Sequence, residues 1–420
     1  MGNNALVRAA IIQAAPIPLA VTQGIAALPK LIEPALDQGA QIIAFGETFL
    51  GGYPLWLDEA PGAALWDHPG TRALHAVLLD EAIRIGDPRL APVQDLVDRS
   101  GALISIGAHE RVRSSLYNCQ LLLRPGLSPL IHRKLVPTHG ERLIWARGDG
   151  STLGTHAASF GPVGSLICWE HWMPLVRAAM HNQGEAVHIA AWPTVRDTYG
   201  IASRHYAFEG RCFVLAAGTL QSRDDVVQGL DLCHLDAEGR KAARALIEAM
   251  PEGQLQFGGS MIIAPDATVL AKAASGAETL IADLDMASIG QDLAALDTDG
   301  HYSRPDVFEL RVNTRARWRR VERSGLTDEQ AGQLDMGRPA ELPHRPEGIE
   351  HEPGIAQDAG VAREGGGVAA DIADALDRRS RDGAHLFLCT CARRIEHQGV
   401  EPVEHVALHR IAEQVAMFGE

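Results

Sequence analysis

The order of apolar and polar positions divides the chain into an alternating first part and a strand-rich second part. "LVRAAIIQA", from Leu6, is a run of small and β-branched residues, the make-up of a buried strand. From Thr22 to Gly39, the residues Ile25, Leu28, Ile32 and Leu36 recur at helical spacing, and Gly39 closes the segment. Pro29 and Pro34 lie inside it and weigh against a helix, because each lacks an N–H and crowds the preceding turn. "AQIIAF" predicts a second strand that ends at Gly46-Glu47. "APVQDLVDRSG" predicts a helix with a glycine stop, and "ALISIGAHE" a strand after it. "YNCQLLLRPG" and "PLIHRK" read as a hairpin pair around a Pro-Gly turn.

Beyond "VGSLIC" the spacing predicts a helix with Pro174 in its first turn and Gly184 at its C-terminal cap. "AVHIAAWP", "RCFVLAAG", "GGSMIIAP", "ATVLAKA" and "ETLIADLD" predict strands, with "APDAT" as a tight antiparallel turn. Strand–helix alternation followed by consecutive strands predicts an α/β fold, a layered sandwich with mixed sheets rather than one purely parallel sheet. From about residue 315 the character changes. "RPAELPHRPEGIEHEPG" is rich in proline and charge, as a linker or tail would be, and "REGGGVAADIADALDRR" resumes with a short helix signal. "HLFLCTC" and "VEHVALHRIAEQVAMF" close the chain, and no internal repeat is seen.

Composition narrows the functional classes. The 420 residues are 46% hydrophobic, enough for one large core or two medium ones. A net charge of -15 disfavours nucleic acid or an anionic membrane as partner. The basic run from Arg315 to Arg320 is read as a solvated helix face or subunit contact in preference to a phosphate site. No apolar run reaches the length of a membrane span. Arg8, Gln13 and two prolines break the apolar start, so it reads as a strand and not as a signal peptide. Six cysteines are too sparse for a disulfide framework and point to a reducing compartment, hence a cytoplasmic protein. Cys389, Cys391, His405 and His409 lack the usual zinc spacing, and a tail helix packed on a neighbouring subunit is the preferred reading.

Four chemically capable residues share a placement. Glu47, Lys134 and Cys168 each follow an apolar strand, and Glu141 lies seven residues past Lys134. In layered α/β proteins such strand ends gather distant residues into one crevice. A cysteine with a pKa near about 8.5 needs help to react at neutral pH. A lysine beside it favours the thiolate, and a glutamate can take the proton and later activate water. Tyr53, Trp169 and Trp192 are candidate substrate-pocket walls. Glu170 is either a supporting partner of the lysine and its loop or a carboxylate at a helix start. His139 reads as a loop histidine.

"FGETFLGGYP", "HRKLVPTHGERLIWARGDGS" and "SLICWEHWMPLVRAAM", in that order, resemble the three signature segments of the nitrilase superfamily, the carbon–nitrogen hydrolases. Cys-Trp-Glu together with "KLVPTHGER" most resembles the nitrilase branch, and "VHIAAWP", "FVLAAG" and "GHYSRPDVFEL" extend the likeness over roughly residues 5 to 312. The resemblance implies a four-layer α-β-β-α sandwich over residues 1–315. It leaves 316–420 as a C-terminal extension of linker and short helices, expected in oligomer contacts. It implies Cys168 as nucleophile, Glu47 as general base, Lys134 as the cation stabilising the tetrahedral intermediate, and Glu141 as its supporting carboxylate. It also implies that the Trp169 backbone N–H holds developing negative charge. The implied reaction takes a small-molecule nitrile through a thioimidate and a thioester to acid and ammonia, with no metal and no cofactor. A homo-oligomer, a dimer through helices or a larger spiral, is implied as well. An amidase, a carbamoyl hydrolase or a cyanide hydrolase would use the same residues, and a silent scaffold member is a further alternative.

Overall fold

A computed structural model gives the fold of residues 6–317. The first half contains β1 (Leu6–Gln13), α1 (Val21–Asp37), β2 (Ile42–Ala44), α2 (Trp56–Glu59), α3 (Pro69–Glu81), α4 (Ala91–Ser100), β3 (Leu103–Val112), β4 (Ser115–Arg124) and β5 (Leu127–Arg133). Then follow β6 (His156–Ala158), β7 (Gly161–Ile167), α5 (Pro174–His181), β8 (Val187–Ala191), α6 (Asp197–Gly210), β9 (Phe213–Ala217) and β10 (Leu220–Ser222). The last elements are α7 (Arg223–Leu232), α8 (Ala237–Glu248), β11 (Gln254–Phe257), β12 (Met261–Ile263), β13 (Val269–Lys272), β14 (Glu278–Asp285) and α9 (Ala287–Asp292).

Two six-stranded sheets carry the molecule, ordered β14-β1-β2-β3-β4-β5 and β13-β12-β9-β8-β7-β6. Each has three parallel strands at its centre and antiparallel neighbours outside them. Alternate residues of one strand serve two different cores. Val7, Ala9 and Ile11 of β1 pack with Val187, Ile189 and Phe213 of the other sheet. Ala10 and Ile12 face α1 and α4 instead. The second sheet behaves likewise, with Val214 and Ala216 packed beneath α5 and α6. The result is four layers, α-β-β-α, as expected. Strands buried on both faces are apolar throughout, which is why they read as continuous runs.

Several local expectations need adjustment. α1 runs unbroken through Pro29 and Pro34. Its buried face, Val21, Ile25, Leu28, Ile32 and Ala35, excludes both prolines, so core packing outweighs their cost. α5 does begin on Pro174, but it ends at His181, and Gly184 serves the turn beyond. β14 does not continue the sheet of β12 and β13; it crosses over and pairs antiparallel with β1. α3, α7 and α8 form a separate apolar cluster with Tyr53, Trp56 and Trp145. Arg315 and Arg317 are exposed and outside any helix.

The chain divides into Met1–Arg323 and Ser324–Glu420, and every described residue falls in the first unit. The linker, short-helix and tail-cysteine readings lie outside the described residues. Among the described residues no helix is long and apolar enough to cross a membrane.

Candidate active site

Three strand ends and one turn converge on a single buried corner. β2 stops at Ala44, and Glu47 follows on a turn pressed against β3. That approach depends on Gly107, where a Cβ would collide with the backbone of Gly46 and Thr48. Lys134 continues β5, its N–H donating to the Asn118 carbonyl of β4 at 2.9 Å. Cys168 directly follows β7 with φ of 54°, a left-handed conformation that costs a non-glycine residue energy. Glu141 sits in the short turn His139–Leu143, and its Oε2 accepts the Thr138 N–H at 2.7 Å.

The side chains meet within hydrogen-bonding reach. Lys134 Nζ donates to Glu47 Oε1 at 2.9 Å and to both Glu141 oxygens at 2.9 and 2.8 Å. Cys168 Sγ and an oxygen of each carboxylate lie within 4.8 Å of one another. Asn118 Nδ2 donates to Glu47 Oε1 at 2.6 Å, while Glu47 Oε2 is buried with no partner. Tyr53 O–H donates to Glu141 Oε1 at 3.0 Å. These donors could hold a metal ion by type. In this corner the cation bonded to both carboxylates is the Lys134 ammonium.

Two carboxylates and one ammonium share a buried corner, and the imbalance shows in their acidities. Burial raises the Glu47 carboxyl, Lys134 pulls it down and Glu141 pushes it up again, leaving it at about 7. Burial opposes the Lys134 charge, but Cys168, Glu47 and Glu141 hold it well above the ordinary lysine value. Burial, then Glu47, drives the Cys168 thiol well above its ordinary value, and Lys134 and the Trp169 N–H offset only part of this. The lysine therefore acts in the expected direction but does not prevail. The resting group is a thiol beside a base.

Comparison with known proteins agrees with this geometry. Residues 8–292 match the carbon–nitrogen hydrolase family. An aliphatic nitrilase of Sinorhizobium fredii is 36% identical, over 73% of this chain and 95% of that protein. The chain belongs to the carbon–nitrogen hydrolase family. Nitrilase 2 of Arabidopsis thaliana is 33% identical to this hydrolase, over 74% of its chain and 90% of the relative. In fold, the hydrolase is similar to a carbon–nitrogen hydrolase from Helicobacter pylori, with TM-score 0.51 and 18% identity over 72% of this chain and 97% of that one. It is also similar to the NitFhit protein of C. elegans, with TM-score 0.55 and 14% identity over 73% and 67% of the two chains.

A cavity of about 270 Å³ opens onto the hydrolase's cluster, with Tyr53, Asp58, Glu141, Cys168, Trp169 and Tyr199 in its wall. Trp169 stands half-exposed at its mouth, its Nε1 donating to Tyr199 O–H at 3.3 Å. Trp192 is placed otherwise. Its ring is fully buried, stacked on Tyr199 at 4.6 Å, and donates to Ser203 Oγ at 3.1 Å. It backs the cavity through Tyr199 and does not line it, because the chain turns its side chain toward α6 rather than into the crevice. His139 lies on a left-handed loop residue of the cavity wall.

Glu170 resolves into a clamp. Its carboxylate accepts the N–H of Leu135 and of Ile167, each at 2.7 Å, and bonds His132 Nε2 at 2.8 Å. It thereby ties the end of β5, which carries Lys134, to the end of β7, which carries Cys168. Asn118, Asp58 and Tyr199 escaped sequence reading. For Asn118 one signal existed: it is an asparagine inside a strand, where asparagine is depleted, although Gln120 in the same strand is an amide too.

Proposed function

We propose that this hydrolase is a nitrilase converting an organic nitrile and two waters to a carboxylic acid and ammonia. The observation that carries the reading is the convergence of Cys168 Sγ, Glu47 and Glu141 around the Lys134 ammonium. Relatives named as nitrilases, at 36% and 33% identity, support the nitrile over other carbon–nitrogen substrates. Glu47, poised at about 7 with one oxygen free, takes the Cys168 proton as sulfur attacks the nitrile carbon. Negative charge develops on nitrogen, and Lys134 and the Trp169 N–H face it. Preorganised donors of this kind contribute on the order of 3 kcal/mol each. The proton passes to nitrogen, giving a thioimidate. Water activated by Glu47 adds, ammonia leaves and a thioester remains. A second water releases the acid and returns the proton to sulfur. Glu141 holds Lys134 in place, and Tyr53 and Trp169 contact the substrate. The small cavity favours compact nitriles.

The test is a panel of small nitriles with the matching amides, assayed for ammonia and acid. Ammonia from nitriles that disappears in Cys168→Ala is the expected result. Release from amides alone would place the chain with amidases, and no release from either, with the protein folded, would end the enzymatic reading.

Three further assignments belong to the same proposal. Residues 1–315 form the catalytic domain and 316–420 an extension engaged in oligomer contacts. The chain forms a homo-oligomer, which the exposed Leu175, Ile201 and Phe208 on α5 and α6 support. It works in the cytoplasm, where a nucleophilic thiol stays reduced.

A further inference from the structure

Behind Cys168, on the side away from the cavity, lies a buried polar chain that the reaction above does not use. His171 Nδ1 lies 2.7 Å from the Cys168 carbonyl oxygen. His171 Nε2 lies 3.1 Å from His188 Nε2. His188 Nδ1 lies 2.8 Å from Glu185 Oε1, and Tyr206 O–H donates to Glu185 Oε2 at 2.5 Å. His171, His188 and Tyr206 are at most 1% exposed and Glu185 is 4% exposed. The His171 ring is stacked on Trp192 at 4.8 Å, and the His188 ring on Tyr206 at 3.8 Å.

The protons in this chain can be counted. A carbonyl only accepts, so His171 Nδ1 carries a hydrogen. Burial, then the neighbouring His188, holds His171 well below the ordinary histidine range, so its Nε2 is bare and accepts from His188 Nε2–H. Burial works against the Glu185 carboxylate, but His188 and Tyr206 outweigh it and keep it below its ordinary value, so Glu185 accepts from His188 Nδ1–H. The three hydrogen bonds from Glu185 to Cys168 thus use three hydrogens, all carried by the two imidazoles, with His188 donating through both nitrogens to the Glu185 carboxylate and to His171. Every polar atom along the line is matched, and the line has one direction at its end: it donates to Cys168.

What that end controls follows from peptide geometry. The Cys168 carbonyl and the Trp169 N–H belong to one planar unit and point in opposite directions. A donor that fixes the carbonyl from behind therefore aims the N–H in front, toward the Cys168 sulfur and the cavity. The same bond polarises the peptide, and a preceding donor chain strengthens it. The constraint matters here because Cys168 holds a strained left-handed φ of 54°.

We infer that His171, His188 and Glu185 are positioning residues for the reaction, a buried relay that aims and polarises the Trp169 N–H toward the charge developing on the substrate. The inference rests on the proposed roles of Cys168 and of that N–H.

The test uses the full chain with His171→Phe, His171→Asn and Glu185→Gln, on a nitrile that the wild type turns over. Phenylalanine keeps a ring against Trp192 but has no donor. Asparagine sets an amide N–H close to where Nδ1 stands. His171→Phe is expected to lower kcat by about 30- to 100-fold with KM within about threefold, less than outright loss of an oxyanion donor. His171→Asn should recover at least tenfold of that. Alkylation of Cys168 by iodoacetamide, followed by mass spectrometry of its peptide, should slow by no more than about threefold throughout, because the Trp169 N–H is the lesser of the two groups that favour the thiolate, after Lys134. A kcat in His171→Phe within twofold of wild type overturns the inference. So does equal loss in both His171 variants with alkylation slowed in parallel, the mark of general damage. Should the phenylalanine variant not fold, Glu185→Gln decides: a three- to tenfold lower kcat at unchanged KM supports the relay, and an unchanged kcat overturns it. A wild type with no Cys168-dependent turnover on nitriles or amides removes the catalytic reading itself, a different failure from a wild type that works and a relay that does not matter.

Discussion

Two ion clusters start from adjacent residues of one strand end and behave in opposite ways. Arg133 lays its guanidinium fork on Glu110 with two bonds of 2.6 and 2.7 Å. Lys134, the next residue, stands between Glu47 and Glu141 and leaves Glu47 Oε2 without a partner. In the first cluster one cation meets one carboxylate, and the shapes match. In the second a point-like ammonium serves two carboxylates at a buried site, and burial, helped by the second carboxylate, lifts Glu47 to about 7. Glu110 and the Lys134 triad are buried, and the Arg133 fork is part-buried. The difference is balance: a matched pair holds the sheet edge, whereas a mismatched triad keeps a proton that can be given and taken near neutral pH.

The widest separation between the clusters should come from paired substitutions. Glu47→Gln is expected to lower kcat at least about 10³-fold while costing less stability near pH 7 than the Glu110 variant does. Glu110→Gln leaves Arg133 without its anion at a largely buried site, so stability should fall by about 3 kcal/mol with kcat nearly intact. Steady-state kinetics beside denaturant melts check both, and equal catalytic loss in the two variants would break the contrast. A middle-sized effect concerns pH. Because Glu47 must be ionised to take the thiol proton, kcat/KM should fall as pH drops through about 7. The effect on stability has the other sign. Folding raises the Glu47 carboxyl from 4.5 to about 7, so the folded state binds the extra proton, and the group's contribution fades as pH rises across that interval. Melts of wild type and Glu47→Gln at pH 5 and pH 8 should show the variant gaining on wild type at the higher pH. The smallest effect sharpens the assignment. Asn118 lowers Glu47 through its 2.6 Å bond, so Asn118→Leu should move the acid limb of kcat/KM upward by about half a unit. An unmoved limb would assign it to another group.

The site was readable in the sequence where chemistry coincides with the end of an apolar run. Glu47 and Cys168 stand out because β2 and β7 are apolar at their ends, so the first reactive residue beyond is conspicuous, whereas Lys134 follows the polar pair His132-Arg133 and is legible through its motif. Trp192 sits at such an end too, but a strand end does not reveal to which side a ring turns. α6 was not legible because its buried face, Gly200, Ala202, Ser203, Tyr206 and Ala207, is made of small residues apart from one tyrosine and offers little apolar contrast. The crossover of β14 to β1 was equally hidden, since alternation identifies a strand but not its partner. The relay behind Cys168 joins residues from a turn, a strand and α6, and only packing brings them into line.

The β1–β14 pairing bears on how the chain is made. β1 receives one edge partner, β2, within some tens of residues, while Leu6 waits for Asp285 and Gln13 for Glu278. At roughly 5 to 20 residues per second of synthesis, that wait lasts from about a quarter of a minute to about a minute. Throughout it, an apolar strand presents an unpaired edge to every other nascent chain. Of the strands described, the earliest made is among the last to be closed, so slowed elongation or truncation before residue 278 should send this protein toward aggregation rather than toward a smaller folded form.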